Sequence, residues 1–265
     1  MTQVRWDRIQ DRTFEYGVDR GVLYVDGKPG VAWSGLLRVD QRTVGGELAP
    51  IYMDGELVRL DRAKEHYTGA ISAVMYPEEF EACEGIEESS GFLFDSQRRA
   101  SFGLSYRTLV GNPLSERIAY KLHLLYNASV TPTERNHGSA GQTLNPTGFS
   151  WNISAVPLQF PDRRATAHIS LDSRRVDRTV LDMLEQMLYG TDTTDPRMPT
   201  SEELAYLQTL QGFRVELVGG KPMLTPGYPA EFIGDPNTGV YKQTEHSPLV
   251  DLTPAGKPGI YGLEI

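Results

Sequence analysis

The sequence predicts a mainly β domain built from antiparallel strands, with few helices. Apolar and polar residues alternate with a period of two through much of the chain, whereas only three short segments have a helical period. The clearest alternating segment has Phe149, Trp151, Ile153 and Ala155 on one face and small polar residues on the other. A strand with one apolar and one polar face is typical of antiparallel sheets.

The same alternation predicts further strands along the chain. Residues 102–109, 119–126 and 165–171 alternate most regularly. The dipeptides Asp26-Gly27 and Asp54-Gly55 indicate tight hairpin turns, because both residue types readily adopt positive φ. Earlier in the chain, strands are predicted at residues 21–25, 31–41, 48–53, 56–61 and 66–76.

The strongest helix prediction covers Arg178–Tyr189. Asp177 is the predicted N-cap and Gly190 the predicted end of this helix. Shorter helices are predicted at 77–83, with Pro77 in the first turn, and at 202–210, with Ser201 as the cap. The apolar stripe of the main helix consists of Val180, Leu181, Leu184, Met187 and Leu188.

Composition narrows the classes of function. The formal net charge is −9, which argues against a protein that grips nucleic acid and is compatible with simple solubility or with a surface that DNA passes without sticking. Cys83 is the only cysteine, so no internal disulfide can form. No segment approaches the roughly 20 apolar residues of a membrane helix. The first ten residues lack an apolar run, so we expect neither a signal peptide nor an anchor.

Proline and glycine become dense after Leu210. The predicted organisation is a core domain at residues 1–210 and a small β-rich arm or surface appendage at 211–265. This second segment contains too many apolar residues for a disordered tail, so we expect it to be ordered by packing.

The sequence contains no recognisable catalytic motif. It contains neither a glycine-rich phosphate loop before a helix nor a nucleophile elbow. We therefore expect no enzymatic activity, no cofactor and no metal. The histidines have no metal-ligand spacing; they are His66, His123, His137, His168 and His246. One acidic cluster could serve a hydrolase, although a solvated helix and loop is the favoured interpretation; it comprises Glu78, Glu79, Glu81, Glu84, Glu87 and Glu88.

Several short sequence motifs follow one another between about residues 18 and 210. They read YGVDRGVLYVDG, AISAVMYPEEFEACEG, SFGLSYRTLVGN, YKLHLLYNA, TPTER, FSW, VDRTVLDMLEQMLYGTD and RMPTSEEL. In this order and spacing the chain resembles the major tail proteins, or tail-tube subunits, of siphophages that infect actinobacteria and Gram-positive hosts. It departs from that pattern in the loop at 136–148 and at Asn152, where the family tends to have an acid.

The resemblance implies a tail-tube-type antiparallel β-sandwich or half-barrel with a flanking α-helix. Six subunits would form a ring-shaped β-barrel, and stacked rings would form a non-contractile tube that encloses the tape-measure protein and conducts DNA during ejection. The implied partners are further copies of the chain, the tape-measure protein, and the tail-terminator and distal tail proteins. The implied location is the tail of the virion, after assembly in the host cytoplasm, with no membrane insertion.

Two sets of residues are candidates for roles in such a tube. Because DNA must slide through, the lumen should repel phosphate, and the hairpin at 46–61 is the predicted lining. An outer, solvated hairpin is the alternative, because Arg59 and Arg62 dilute the negative charge. The segment 211–265 is expected to be dispensable for the inner barrel. The lumen candidates are Glu47, Asp54, Glu56 and Asp61, and the subunit-interface candidates are Tyr106, Arg107, Asn112, Tyr120 and Lys121.

Other functions fit a β-sandwich of this composition. A distal tail protein or another tail-end ring protein would stay within the virion. A carbohydrate-binding module would use Trp33, Tyr52 or Trp151 as a sugar platform, although the alternation around Trp151 favours a core position. A hydrolase that uses the acidic cluster is the least favoured alternative.

Overall fold

The computed structural model describes residues 12–63, 65–131, 148–161 and 163–210, and the backbone of four later strands. Its contacts divide the chain into two compact units, Met1–Asp172 and Ser173–Ile265. This division falls earlier than the predicted boundary after Leu210, so the two predicted helices at 178–189 and 202–210 belong to the second unit. The separability of the segment that begins at Gln211 stays a prediction.

The first unit is dominated by one eight-stranded antiparallel sheet, which confirms the predicted fold class. The sheet order is β2-β1-β9-β10-β11-β6-β3, and β14 pairs with β10 beside that path. Its strands are β1 (Phe14–Val25), β2 (Val31–Trp33), β3 (Leu36–Val44), β6 (His66–Ala73), β9 (Phe102–Asn112), β10 (Ser115–Thr131), β11 (Phe149–Ala155) and β14 (His168–Asp172).

Three two-stranded hairpins lie outside this sheet. The first interrupts the sequence between β3 and β6, which are neighbours in the sheet, and the other two lie between strands that are not neighbours. They are β4 (Leu48–Met53) with β5 (Glu56–Arg62), β7 (Glu87–Ser89) with β8 (Phe92–Phe94), and β12 (Leu158–Phe160) with β13 (Arg163–Thr166).

The sheet is curved, and its two ends approach each other. Strands β1 and β3 are in contact, and a Cβ atom placed on Gly21 would come within 3.0 Å of the Leu36 side chain. A larger residue at this position would require Leu36 or Trp33 to shift by a few tenths of an ångström. No ladder joins β2 to β3 among the described strands, so the single chain forms an open, half-barrel-like sheet.

An aromatic cluster fills the concave side of the sheet. Phe80 lies at its centre, with ring centroids 4.6 Å from Trp33, 5.0 Å from Trp151 and 5.4 Å from Phe102. Phe80 is carried by a short 3-10 helix (Glu78–Phe80) that runs into helix α1 (Glu81–Glu84). This pair of turns replaces the single helix predicted at 77–83, and it places Phe80 and Cys83 in the core.

Two predicted strands are interrupted in the structure. The strand predicted at 31–41 breaks at Gly35, whose φ of +82° turns the chain between β2 and β3. The strand predicted at 165–171 breaks at Ala167, which separates β13 from β14. Around Gly35 the apolar pattern continues across the break, because Val31, Trp33, Leu36 and Val39 pack in or against the same core.

The second unit begins with helices α2 (Arg178–Tyr189) and α3 (Ser201–Thr209). Helix α2 has the predicted bounds, and Gly190 follows it with a φ of +76°. Four of the five predicted stripe residues are buried, and Met187 is partly buried. An antiparallel sheet follows, in the order β15 (Phe213–Val218), β16 (Lys221–Pro226), β17 (Val250–Pro254) and β18 (Tyr261–Leu263). Helices long and apolar enough to cross a membrane are absent from the described part of the chain.

Both predicted helix caps need correction. Asp177 occupies the N-cap position of α2, but its side chain accepts no capping hydrogen bond. Helix α3 is capped by Thr200 and not by Ser201. Thr200 Oγ1 accepts a bond from the Glu203 N–H at 3.2 Å, and the Glu203 carboxylate accepts one from the Thr200 N–H at 2.9 Å. This reciprocal capping box fixes the start of the helix one residue earlier.

Replacing Phe80 with alanine should destabilise the first unit strongly. The side chain is fully buried at the centre of the aromatic cluster, so its removal costs both the transfer free energy and a cavity, about 3–5 kcal/mol. Chemical denaturation measures this loss. The matched control is Phe92→Ala, at a residue that is 69% exposed, and it should change stability by no more than about 0.5 kcal/mol. Equal losses in the two variants would contradict the assigned core.

Candidate functional site: exposed hairpins and a buried polar cluster

The hairpin β4–β5 carries apolar side chains that nothing in the described chain covers. Its turn is the predicted Asp54-Gly55, with φ values of +51° and +84° that suit a tight hairpin. The base is closed by a hydrogen bond from the Ala63 N–H to the Glu47 carbonyl, 2.9 Å long. At least half of each apolar side chain is exposed at Leu48, Tyr52, Met53, Leu57, Val58 and Leu60.

All four lumen candidates lie on or beside this hairpin. Glu47, Asp54 and Glu56 are exposed. Asp61 forms an ion pair with Arg59 at 2.6 Å, so its charge is locally balanced. The excess negative charge of the hairpin therefore comes from the first three residues, and which wall of a tube they would face stays a prediction.

The short hairpin β7–β8 is the second exposed apolar element. All six of its strand residues are exposed, including Phe92, Leu93 and Phe94. Glu87 and Glu88 lie on the opposite strand, paired with Phe94 and Leu93 respectively. Acidic and aromatic side chains therefore share this small surface.

Two histidines meet inside the concave face of the sheet. His123 on β10 and His168 on β14 place Nδ1 and Nε2, respectively, 3.2 Å apart. The ring centroids are 5.4 Å apart and the planes are inclined by 21°, so the nitrogens lie near the line between the centroids. This is the geometry of a hydrogen bond between imidazoles, with room for one hydrogen between the nitrogens and not for two.

Two further rings and one amide complete the cluster. Tyr106 stacks on His123 at a centroid distance of 4.7 Å, and Tyr67 stacks on His168 at 5.8 Å. From β3, the amide nitrogen of Gln41 donates to the Tyr106 hydroxyl and lies 3.1 Å from His168 Nε2. The four rings follow one another in the order Tyr106, His123, His168 and Tyr67, and we call them the polar row. Gln41 connects this row to β3.

A chain of hydrogen bonds connects His123 to the protein surface. Thr108 Oγ1 donates to the Glu15 carboxylate, so its oxygen remains to accept from His123 Nε2 at 2.9 Å. Because Nε2 donates, neutral His123 presents a lone pair at Nδ1 toward His168. Glu15 also pairs with Lys121. Hydrogen bonds from Lys121 and Thr108 outweigh the opposing effect of burial and lower the pKa of Glu15.

Burial keeps both imidazoles neutral near pH 7. It lowers the pKa of His168 to about 4, assisted by the neighbouring His123. Burial also lowers the pKa of His123, although the Glu15 carboxylate partly offsets that effect. Burial raises the pKa of Tyr106 to about 12 and that of the Cys83 thiol to about 12. Groups of three or more potential metal ligands are absent among the described residues.

The structure gives two interface candidates roles inside the subunit. Tyr106 and Arg107 are only 1% and 3% exposed. Arg107 donates to both carboxylate oxygens of Asp19, at 2.9 and 2.8 Å, and its guanidinium lies 4.6 Å from the centre of the Tyr120 ring. These intramolecular bonds account for Tyr106 and Arg107, so the structure supplies no reason to place either residue at an interface.

The other three interface candidates are more accessible. Asn112 accepts hydrogen bonds from the Leu114 and Ser115 N–H groups and so shapes the turn between β9 and β10. Tyr120 and Lys121 are partly exposed on β10. An interface role for these three residues stays a prediction.

Sequence patterns alone missed the buried polar cluster. Sequence spacing does not indicate the histidine pair, since 45 residues separate His123 from His168 and only the pairing of β10 with β14 brings them together. Gln41 ends a predicted strand and Glu15 lies outside every predicted strand, so neither residue is distinguished by the sequence.

The structure also corrects the candidate sugar platform. Trp33 and Trp151 are 3% and 1% exposed and belong to the aromatic core. Of the three proposed platform residues, only Tyr52 is exposed, at the tip of β4–β5.

Comparisons with known proteins provide no identification. The sequence matches no protein-family model and no curated protein. One solved structure that the chain is similar to is a cryo-EM structure of the anti-feeding prophage (AFP) baseplate, six-fold symmetrised. The identity is 13%, the TM-score is 0.33, and the match covers 64% of this chain and 97% of that chain. A likeness this low carries no inference about function.

Acid should destabilise the first unit through the histidine pair. The folded-state pKa of His168, about 4, lies below the ordinary value of 6.5, so the unfolded chain binds the proton more readily. Stability contributed by the neutral ring is present above pH 6.5 and is lost as the pH falls toward 4. Thermal unfolding between pH 7 and pH 4 should show a smaller acid loss in His168→Gln than in the wild type.

The matched control is His66→Gln, because His66 is exposed on β6. This variant should lose as much stability in acid as the wild type does. If the stability of His168→Gln and that of the wild type fell in parallel with pH, the assignment of a neutral, buried histidine pair would be wrong.

Proposed function

We propose that this chain is a self-assembling structural subunit of a bacteriophage tail, and specifically the subunit of a non-contractile tail tube. In this proposal six copies form a ring, and stacked rings enclose the tape-measure protein and later conduct DNA. The observation that carries the self-assembly is the exposed apolar hairpin β4–β5. The ordered tail-protein phrases in the sequence support the choice of a tail tube over other assemblies.

The hairpin β4–β5 favours a partner because it is poorly stabilised by the rest of its own chain. Its six largely exposed apolar side chains form a surface of the kind that marks protein–protein contacts. A two-stranded hairpin alone in water is marginally stable at best. Packing against another subunit would bury the apolar side chains and hold the hairpin in a fixed position.

Open sheet edges favour a partner of the same kind. Strand β3 pairs with β6 on one side, and among the described strands no other strand pairs with its nine residues. In β1, the segment 14–20 pairs only with β9, because β2 reaches no farther than Gly21. Edges like these recruit further strands. Pairing one edge with the other edge of the next copy is heterologous, and it closes a ring when the rotation between copies allows it.

The proposal assigns the chain no catalytic role. The Cys83 thiol is buried and, with a pKa of about 12, stays protonated, which makes it a poor nucleophile. His123 and His168 are neutral and bonded to partners within the core. Bonds from His123 to Thr108 and His168 within one chain suit a structural building block.

Removing the apolar pair at the hairpin tip should abolish assembly without unfolding the subunit. Tyr52 and Leu57 face each other across β4 and β5, and both are largely exposed. The double variant Tyr52→Ser, Leu57→Ser should remain monomeric at concentrations where the wild type forms large particles, as measured by sedimentation velocity. Circular dichroism should show unchanged β content.

The control is Val156→Ser, at an exposed apolar residue outside the hairpin, and it should assemble as the wild type does. Assembly of the double variant at the wild-type concentration would show that the hairpin is not a subunit contact.

In assembled tubes, the acidic residues of the hairpin should keep DNA from sticking. Reversing Glu47, Asp54 and Glu56 to lysine would turn a repulsive lining into an attractive one, and the effect should weaken with salt because the charges are screened. We expect the variant tubes to retain short duplex DNA at low salt while wild-type tubes do not, as measured by co-sedimentation.

A matched control reverses three exposed carboxylates elsewhere, at Glu78, Asp95 and Glu202. Equal DNA retention by both sets of tubes would argue for net charge alone. A tube map with the hairpin on the outer wall would overturn the lumen assignment.

A further inference from the structure

The hairpin β7–β8 is a rigid element that presents apolar side chains to solvent. Ser90 and Gly91 have φ values of +53° and +82°, which suit a two-residue turn that matches the strand twist. The Gly91 N–H donates to the Glu88 carboxylate at 2.8 Å. The turn is therefore preorganised, and a partner would pay little entropy to order it.

The base of the hairpin is fastened to helix α1. The Gln97 N–H donates to the Gly85 carbonyl at 2.8 Å, and the Ala100 N–H donates to the Ala82 carbonyl at 3.0 Å. Arg99 Nε adds a bond to the Glu84 carbonyl at 3.0 Å. With the base held and the tip fully exposed, Phe92, Leu93 and Phe94 project as a fixed apolar knob flanked by Glu87 and Glu88.

A surface of complementary character lies around the turn between β9 and β10. Leu114 is the most exposed large apolar side chain of the described residues, and Ile118 and Phe14 are also exposed. Phe14 reaches this turn because it pairs with Gly111, where a Cβ atom would lie 3.1 Å from the phenyl ring. Arg117 precedes Ile118 in β10 and is exposed, as is the acidic Glu116 before it. Arg117 has the positive charge that matches the hairpin carboxylates.

The two surfaces lie at opposite ends of the same strand. The hairpin β7–β8 leads into the Phe102 end of β9, and the apolar turn follows the Asn112 end. An 11-residue strand spans about 35 Å. A knob at one end of the strand and its complement at the other end cannot meet within one chain. When copies are placed head to tail, the knob of each copy can contact the complementary surface of the next copy.

We propose that the hairpin β7–β8 of one copy docks on the surface formed by Phe14, Leu114, Arg117 and Ile118 of the next copy, head to tail. This inference rests on the proposed self-assembly and names one of its contacts. The aromatic side chains Phe92 and Phe94 cover Leu114 and Ile118, and the carboxylate of Glu87 or Glu88 pairs with Arg117.

The test is a charge-reversal cycle in the full-length chain. Glu87→Arg with Glu88→Arg should weaken association by about tenfold or more, and Arg117→Glu should do the same. Combining the three changes should restore association toward the wild-type level, because opposite charges again face each other. Sedimentation velocity measures association, and circular dichroism verifies folding in each variant.

Cysteine pairing provides a second readout that does not depend on affinity. The chain's only cysteine is buried, so a variant with Phe92→Cys and Leu114→Cys should form disulfide-linked ladders of three or more copies on mild oxidation. Each single variant should stop at a dimer, since it offers one accessible thiol.

The outcomes separate this inference from the proposed function. Restored association in the triple variant, together with ladders, supports the docking. If the wild type assembles but the reversals have no effect and no ladder forms, the docking is wrong and the proposed function stands. A wild-type chain that never assembles overturns both.

Discussion

The packing of Phe80 against Trp33, Phe102 and Trp151 is the interaction on which the rest of the subunit depends. It joins the short helical turn to strands β2, β9 and β11, no two of which are neighbours in the sheet. The apolar side chains of β4–β5 and β7–β8 lie outside this core, and they remain at the surface, where another subunit can cover them.

The polar row inside the sheet adds a second constraint. Gln41 on β3 donates to the Tyr106 hydroxyl on β9, so it holds the strand that leads into hairpin β4–β5 against the middle of the sheet. Tyr106 and His123 are buried, so either would be costly if it lost its partner. The neutral histidine pair satisfies this requirement near pH 7. Gln41 therefore connects the strand that leads into the exposed hairpin to the polar row that contains the neutral histidines.

Features that depend on neighbouring residues in the chain, such as the faces of strands, turns and helix caps, could be predicted from the sequence. The alternation of Trp151 and Ile153 with serine and asparagine gave the inward face of β11, and Asp54-Gly55 gave the turn of β4–β5. The capping box of α3 was also readable, since Glu203 follows Thr200 by three residues, but Ser201 offered a competing hydroxyl. Features that depend on pairing between strands distant in the sequence could not be predicted. His123 meets His168 only through the register of β10 and β14, and the interruption at Gly35 is hidden because the apolar pattern continues on both sides of it.

The central claim is that the exposed apolar hairpins and open sheet edges exist to be covered by further copies of the chain. Negative-stain electron microscopy of the purified wild-type protein over a range of concentrations tests it most directly. The account predicts ring-shaped particles with sixfold symmetry and, at higher concentration, hollow tubes built from stacked rings. Isolated particles of single-subunit size at every concentration, from protein that circular dichroism shows to be folded, would contradict it.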